Sequence, residues 1–386
     1  MRLFRDSPVP LYQQLLDHIR GRIAAGEWPG GSRLPNELDL ARELGVSRIT
    51  IRHALSAAVD AGLLVRVRGK GTFVARTVDD VPRRGFIGHV VPYLSHSFDT
   101  RILLGVESVL KVEGYRLVFS NSEGDIQTEQ QMLEQLEAEG MCGCIVEPVF
   151  GQNRKLAEWV ARGYPVVLLD RSPDGLGADL VATDHFHGGY AVVEHLIAQG
   201  YTDIAYLAAE PLRLSSIAER RAGYLAAMEN AGLQAREPFV IAGNRERGRF
   251  DDLASFVRQE AAAVDGISHW LDSSARPQAI VAANDLLGML VVAAARRNGL
   301  RIPEDLALAG FDDVEFAATC EPPLTTVAQP AFQLGVEAAR LLVRRLAGDR
   351  GRPQRLRLPA NLIVRRSSQR TPRDPPLVTD RHLVAT

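Results

Sequence analysis

Cysteine is scarce, with three residues (Cys142, Cys144 and Cys320) in a chain of 386. So sparse and odd a set does not build a disulfide framework, and it fits a reducing cytosol. Long apolar runs are missing as well. No stretch approaches the roughly 18 uncharged apolar residues that span a bilayer, so a membrane-spanning helix is excluded. The opening residues, MRLFRDSPVPLYQQ, lack the apolar core of a secretory signal, and the expected location is the cytoplasm. Metal-ligand spacing is also wanting. Cys142-x-Cys144 has no second pair nearby and reads as neighbours on a buried strand, and His185-x-His187 stands alone before a helix start. There is no G-x-S-x-G elbow and no Ser-His-Asp arrangement. Neither cofactor nor metal is expected. What is present is an apolar fraction of 46%, that of an ordinary globular protein. The length suits two or three domains.

The formal net charge of −2 hides an asymmetry. Residues 1–76 hold 12 Lys+Arg against 7 Asp+Glu, which leaves 33 against 40 in the other 310. A small basic module on a larger acidic body points to one part that meets a polyanion. In that module Leu11, Leu15, Leu16, Ile19 and Ile23 form one helical stripe, ended by Trp28-Pro29-Gly30-Gly31. Leu38, Leu40, Ala41 and Leu44 mark a short helix closed by Gly45. Ser47 is a good N-cap for a third helix, in which Ile51, Ala54, Leu55, Ala58 and Val59 face inward. Leu64 to Val67 and Thr72 to Val74 read as a hairpin around Arg68-Gly69-Lys70-Gly71. The order is that of a winged helix-turn-helix.

Pro10-Leu11-Tyr12-Gln13-Gln14, Leu34-Pro35-x-Glu37, Gly45-Val46-Ser47-Arg48-x-Thr50-x-Arg52 and Gly69-x-Gly71-Thr72-Phe73 follow one another in order. This segment resembles the winged-helix domain of the GntR family of bacterial transcription regulators along its whole length. A helix fits the major groove, its N-terminal residues reach base edges, and arginine grips guanine bidentately. The resemblance implies base-reading roles for Arg48 and Arg52 and a backbone grip for Arg33. Ser47 and Thr50 suit phosphates. The tip Arg68, Gly69, Lys70 and Gly71 is expected to act as the wing in the minor groove. Glu37 is expected to orient arginines, and His53 lies on the DNA side with its role open. The bland alternative for these arginines is a solvated face.

Residues 77–85 (TVDDVPRRG) read as a linker. From Phe86 short apolar strands alternate with amphipathic stretches as far as Asp313, which implies an α/β body of parallel sheets covered by helices. Its size exceeds what one core usually supports, so two lobes are expected, roughly 86–182 with 325–347 and 183–324 with 348–369. The polar, Pro-rich stretch 370–386 reads as a disordered tail.

Val166-Val167-Leu168-Leu169-Asp170-Arg171, Asp184 with Gly188-Gly189, Glu219-Arg220-Arg221-Ala222-Gly223-Tyr224, Ala283-Asn284-Asp285, Gly310-Phe311-Asp312-Asp313 and Pro323-Leu324-Thr325-Thr326-Val327 carry a second resemblance. Residues 86–369 resemble the effector domain of LacI/GalR repressors, which is shared with periplasmic sugar-binding proteins. Doubly wound sheets open their clefts at strand carboxyl ends, where Glu147, Asp170, Arg171, Asn284 and Asp312 fall. The resemblance makes Arg220, Asn284 and Asp312 the leading effector contacts, with Glu147, Arg171, Phe98 and Asp99 behind them. Asp184 and Asp285 read as helix caps rather than ligands.

A GntR-type head on this body resembles the arabinose repressors. The implied function is a repressor of carbohydrate-utilisation genes that binds operator DNA as a homodimer, modulated by a small sugar such as a pentose. The competing class is a DNA-tethered enzyme. The aminotransferase body that some GntR-type heads carry needs a cofactor-binding lysine, yet only Lys111 and Lys155 lie outside the head, both on expected helices. A stand-alone sugar carrier fails on the missing signal.

Overall fold

A computed structural model describes residues 9–67, 69, 71–75, 84–94, 97–173, 175–209, 211–241 and 253–370, with backbone alone over 253–259. The chain divides into two compact units, the first of residues 1–84 with 111–116 and the second of residues 85–110 with 117–386. The proposed wing residues Arg68 and Lys70, most of the expected linker 77–85, and the expected tail beyond Arg370 lie outside the described residues.

In the first unit α1 (Leu11–Ala24), α2 (Glu37–Leu44) and α3 (Arg48–Asp60) precede the hairpin of β1 (Leu64–Val67) and β2 (Gly71–Val74). One core joins Leu15, Ile19, Leu34, Leu40, Ile51, Ala54, Leu55, Ala58, Leu64 and Val74. Burying each of its larger side chains contributes about 1.5–3 kcal/mol. Helix α2 starts where Asn36 Oδ1 accepts from Leu38 N and Asp39 N, and it ends at Gly45 with φ 65°. Leu38, expected on the apolar stripe, is 42% exposed; it falls in the first turn, outside the buried arc through Leu40 and Ala41.

The second unit has three sheets, of six, four and two strands. In lobe 1, β3 (Gly85–Val91), α4 (Ser97–Glu113), β4 (Tyr115–Asn121), α5 (Ile126–Ala138), β5 (Gly143–Val146), α6 (Arg154–Arg162), β6 (Val166–Leu169) and β7 (Asp179–Thr183) alternate. In lobe 2 follow α7 (His185–Ala198), β8 (Ile204–Ala209), α8 (Ser215–Asn230), β9 (Phe239–Ile241), α9 (Leu253–Asp272), β10 (Ala279–Ala282), α10 (Asp285–Arg297), β11 (Ala307–Ala309), α11 (Glu315–Thr319) and β12 (Thr326–Ala328). The chain then returns through α12 (Ala331–Leu346) and β13 (Arg355–Leu358) and crosses a last time to β14 (Asn361–Ile363). Strand order is β13-β7-β6-β5-β3-β4 in the largest sheet and β11-β10-β8-β9 in the second, and β12 pairs antiparallel with β14 in the third. Strands β5, β6, β7 and β10 are buried throughout, as parallel strands covered on both faces must be.

The lobe boundaries differ from the sequence expectation. Strand β13 pairs in parallel with β7, Leu356 opposite Val181, so 355–358 belong to lobe 1 and not to lobe 2. Residues 325–328 belong to lobe 2, because Thr325 bridges Ala309 and Ala328 bridges Asp312. The chain therefore crosses near 183–184, 329–330 and 358–361. The crossings are stitched together: Thr183 Oγ1 donates to Gln329 Oε1 at 2.6 Å, and Asp184 N donates to Leu358 O at 2.8 Å.

Candidate effector cleft and DNA-reading surface

On the first unit, Ser47 caps α3, its Oγ accepting from Thr50 N at 3.1 Å and lying 2.9 Å from Thr50 Oγ1. The cap fixes the start of the helix, and Arg48 and Arg52 are exposed on its first two turns. Arg52 is held by Glu37, with Nη2 and Nε at 3.3 and 3.4 Å from Oε2; this is the orienting contact expected of Glu37. His53 is exposed and meets Tyr12 edge to face. Arg33 is exposed and bridges Phe73, at the foot of the hairpin. Gly71 has φ 119°, and a Cβ there would sit 3.0 Å from Arg33 Nε, so a side chain would push Arg33 away. Gly69, at the hairpin tip, has φ 75°.

In the second unit the strand ends converge. Lobe 1 brings Glu147 after β5 and Asp170 and Arg171 after β6. Lobe 2 brings Asn284 after β10, Asp312 after β11, and Arg220 from α8. Arg171 Nη2 lies 2.5 Å from Glu147 Oε1. Arg171 Nε is buried without a hydrogen-bond partner, a donor with no acceptor among the described residues. Burial pushes the Glu147 carboxyl up, to about 8, against the pull of Arg171 and with the push of Asp170 and Asp99. Burial also acts to raise Asp170, but His185, Arg171 and Arg220 outweigh it and hold that carboxyl below the ordinary range. Phe98 is buried and Asp99 half-buried in the first turn of α4, and Asp99 is close enough to act on both Glu147 and Arg171.

Arg220 is 5% exposed. Its Nη1 donates to Ala283 O at 2.6 Å and stands 3.4 Å from Asp312 Oδ1, and its guanidinium lies 3.8 Å from the Phe311 ring centroid. Helix α8 comes this close to α7 because both are glycine at the crossing. A Cβ on Gly189 would meet Arg220 O at 2.3 Å, and one on Gly223 would meet Phe186 O at 2.2 Å. Asp312 Oδ1 also accepts from Gln329 Nε2 at 2.7 Å. Asp170, Asp312 and Asp313 all take positive φ, of 61°, 113° and 52°. Non-glycine residues held there cost on the order of 1–3 kcal/mol each and cluster at functional sites.

The two aspartates expected as helix caps part ways. Asp184 does cap α7, accepting from His187 N, and His187 pairs with Asp184. Asp285 does not cap α10. That role falls to Asn284, whose Oδ1 accepts from Leu287 N at 2.9 Å. Asp285 is instead the first helical residue, fully buried, accepting from Thr326 Oγ1 and Val314 N. Cys144 is buried on β5 and its thiol is pushed by burial up to about 12, whereas Cys142 stands just before that strand, half-buried. No cluster of three metal-ligating side chains occurs among the described residues. Reasoning from sequence weighed His185 only for metal binding and did not name Gln329 or Thr183. The signal for His185 was its place directly after a strand-end aspartate, where a side chain turns toward the cleft.

A winged-helix DNA reader followed by a two-lobed body of the binding-protein kind defines a bacterial one-component transcription regulator. Comparison with known proteins agrees. Residues 11–74 match the family described as bacterial regulatory proteins, gntR family, and residues 193–368 match the periplasmic binding protein-like domain. The chain is 28% identical to the arabinose metabolism transcriptional repressor of Geobacillus stearothermophilus, over 88% of this chain and 92% of that one. It is 30% identical to the ribose operon repressor of Escherichia coli (strain K12), over 86% and 98%. A LacI family transcriptional regulator from Enterococcus faecium, solved with bound ribose, superposes with a TM-score of 0.61 at 25% identity, over 73% and 98%. The chain belongs to the family of transcriptional repressors that carry a periplasmic-binding-protein-like body, here under a GntR-type head; it is a regulator and not an enzyme.

Proposed function

We propose that this chain is a sugar-responsive repressor that grips operator DNA as a homodimer and changes its grip when an uncharged sugar, such as a pentose, enters the interlobe cleft. The observation that carries the reading is the buried Nε of Arg171 beside Glu147, which has no hydrogen-bond acceptor among the described residues and only the longer 3.8 Å ion pair with Asp170. A sugar hydroxyl accepts from such a nitrogen and donates to a neighbouring carboxylate. Arg220, Asn284 and Asp312 contact the sugar from lobe 2, and Glu147, Arg171, Phe98 and Asp99 from lobe 1. Asn284 contributes through Nδ2, since Oδ1 is spent on the helix cap. The names of the arabinose and ribose repressors support a pentose. On the head, Arg48 and Arg52 read bases, Arg33, Ser47 and Thr50 meet the backbone, and Arg68, Gly69, Lys70 and Gly71 form the wing.

Lobe closure on a ligand is a hinge motion, and a dimer reading two half-sites needs its heads at a set spacing. Coupling of roughly 1–3 kcal/mol between sugar and operator is the expected scale. The test has two steps. A thermal-shift screen of the full chain against arabinose, ribose and other sugars finds those that bind. Titration of an operator selected from random DNA, with and without each binder, then reads the coupling. Operator affinity that stays the same with every sugar that raises Tm would overturn the proposal.

A further inference from the structure

His185 is 1% exposed and lies between the lobes, and neither the helix cap at Asp184 nor the ion pair of Arg171 uses it. Its Nε2 lies 2.9 Å from Asp170 Oδ1, at the end of β6 in lobe 1. Arg220 Nε, from α8 in lobe 2, donates to its Nδ1 at 3.2 Å. A guanidinium has only donors, so Nδ1 must accept, and the ring hydrogen therefore sits on Nε2 and is donated to Asp170. The hydrogen bonds run in one direction, from Arg220 through the imidazole to Asp170. Two further contacts fix the ends of this chain. Arg220 stacks on Phe311, whose ring centroid is 5.9 Å from that of His185. Asp170 sits at φ 61°, a conformation that only its surroundings hold in place.

We infer that His185 is the positioning residue that couples the lobes, a neutral Nε2–H imidazole through which Asp170 of lobe 1 sets the guanidinium of Arg220 in lobe 2. The inference rests on the effector reading above in one respect only, namely that Arg220 meets the sugar. Separating the lobes breaks the bond from Nε2 to Asp170 and frees the imidazole, so Arg220 Nε loses its fixed acceptor while Ala283 O, Asp312 and the Phe311 ring still hold the rest of the guanidinium. A sugar that binds Arg220 in its fixed orientation therefore favours the lobe arrangement that keeps Asp170 in reach. Replacement by Gln retains an acceptor and a donor, whereas Leu retains neither.

The experiment uses the full chain with 15N-labelled histidine. Long-range 1H–15N correlation assigns the His185 signals by their loss in His185→Gln and reads the tautomer directly. The expected pattern is a protonated Nε2 and an unprotonated Nδ1. A protonated Nδ1, alone or with Nε2, overturns the proposal whether or not any sugar binds. In parallel, the ratio of operator Kd with and without arabinose or ribose is measured for wild type, His185→Gln and His185→Leu. We expect Gln to keep the ratio within about 3-fold, and Leu to reduce it about 10-fold or more, the loss that follows from removing a buried hydrogen bond to a charged group. Any other ranking counts against the relay. If His185→Leu does not fold, the tautomer decides. If neither pentose binds wild type, the pentose reading fails while the tautomer still tests the relay.

Discussion

Arg52→Ala separates the folding role of this arginine from its role on DNA, because the structure makes the first small. The Arg52 side chain is 61% exposed and pairs at 3.3 Å with Glu37, itself 30% exposed. A pair this wet contributes about 0–1 kcal/mol to stability. A bidentate contact to guanine O6 and N7 contributes about 1–3 kcal/mol, which is roughly 5- to 150-fold in affinity. The expected result is a Tm close to wild type, an operator Kd weakened within that range, and tolerance of base changes at one position of each half-site. Glu37→Gln should act differently. It removes a negative charge beside the reading helix, so non-specific binding tightens, but it also frees Arg52 to swing, so the ratio of specific to non-specific affinity falls. The assay is fluorescence anisotropy with the selected operator and with single-base variants, at two salt concentrations. If Arg52→Ala weakens binding to every sequence equally and lowers the salt slope by about 1, Arg52 touches a phosphate and the base-reading argument is wrong.

Asp285 is pushed up to about 7, first by burial and then by Asp312. A carboxyl raised on folding keeps its proton in the native state after the unfolded chain has lost it, so this site's contribution to stability falls as pH rises from about 4 to 7. Asp285→Asn should flatten that fall in denaturant midpoints measured across the same range, and an unchanged slope would refute the assignment. The site sets the carboxylates Asp170, Asp99 and Asp312 and the raised carboxyl of Glu147 against the guanidiniums of Arg171 and Arg220. Neutral pentoses should therefore raise Tm where uronates and sugar phosphates do not, and a phosphorylated sugar binding tighter in calorimetry would contradict this. Gly223→Val should destabilise lobe 2 by more than about 3 kcal/mol, because the first added carbon meets Phe186 O at 2.2 Å; thermal unfolding within a degree or two of wild type would show that the α7–α8 crossing yields.

How far the sequence could be read depended on whether a residue answers to local or to distant neighbours. Much of the head was legible, since the third helix starts at a capping side chain that acts within three positions, Ser47; the same kind of cap at Asn36 starts α2, while α1 starts at Pro10 without one. Strands such as β5, β6, β8 and β10 were legible because buried parallel strands are short apolar runs, but β7 was not marked out among them. The return segment from β12 to β14 was not. Strand β13 reads Arg355, Leu356, Arg357, Leu358, an alternating edge strand, and nothing near it announces that it pairs with β7 some 175 positions earlier. The same limit explains the site. That Glu147, Arg171 and Asp312 stand after strands β5, β6 and β11 followed from topology, whereas Arg220 comes from helix α8. Which of two adjacent residues caps and which is buried, Asn284 or Asp285, turned on Thr326 and Val314, contacts that only the tertiary fold supplies. His185 belongs to this second kind. Local pattern placed it just before a helix start, the structure makes it the first residue of α7, and only Asp170 and Arg220, reaching it from two different lobes, make it a link between them.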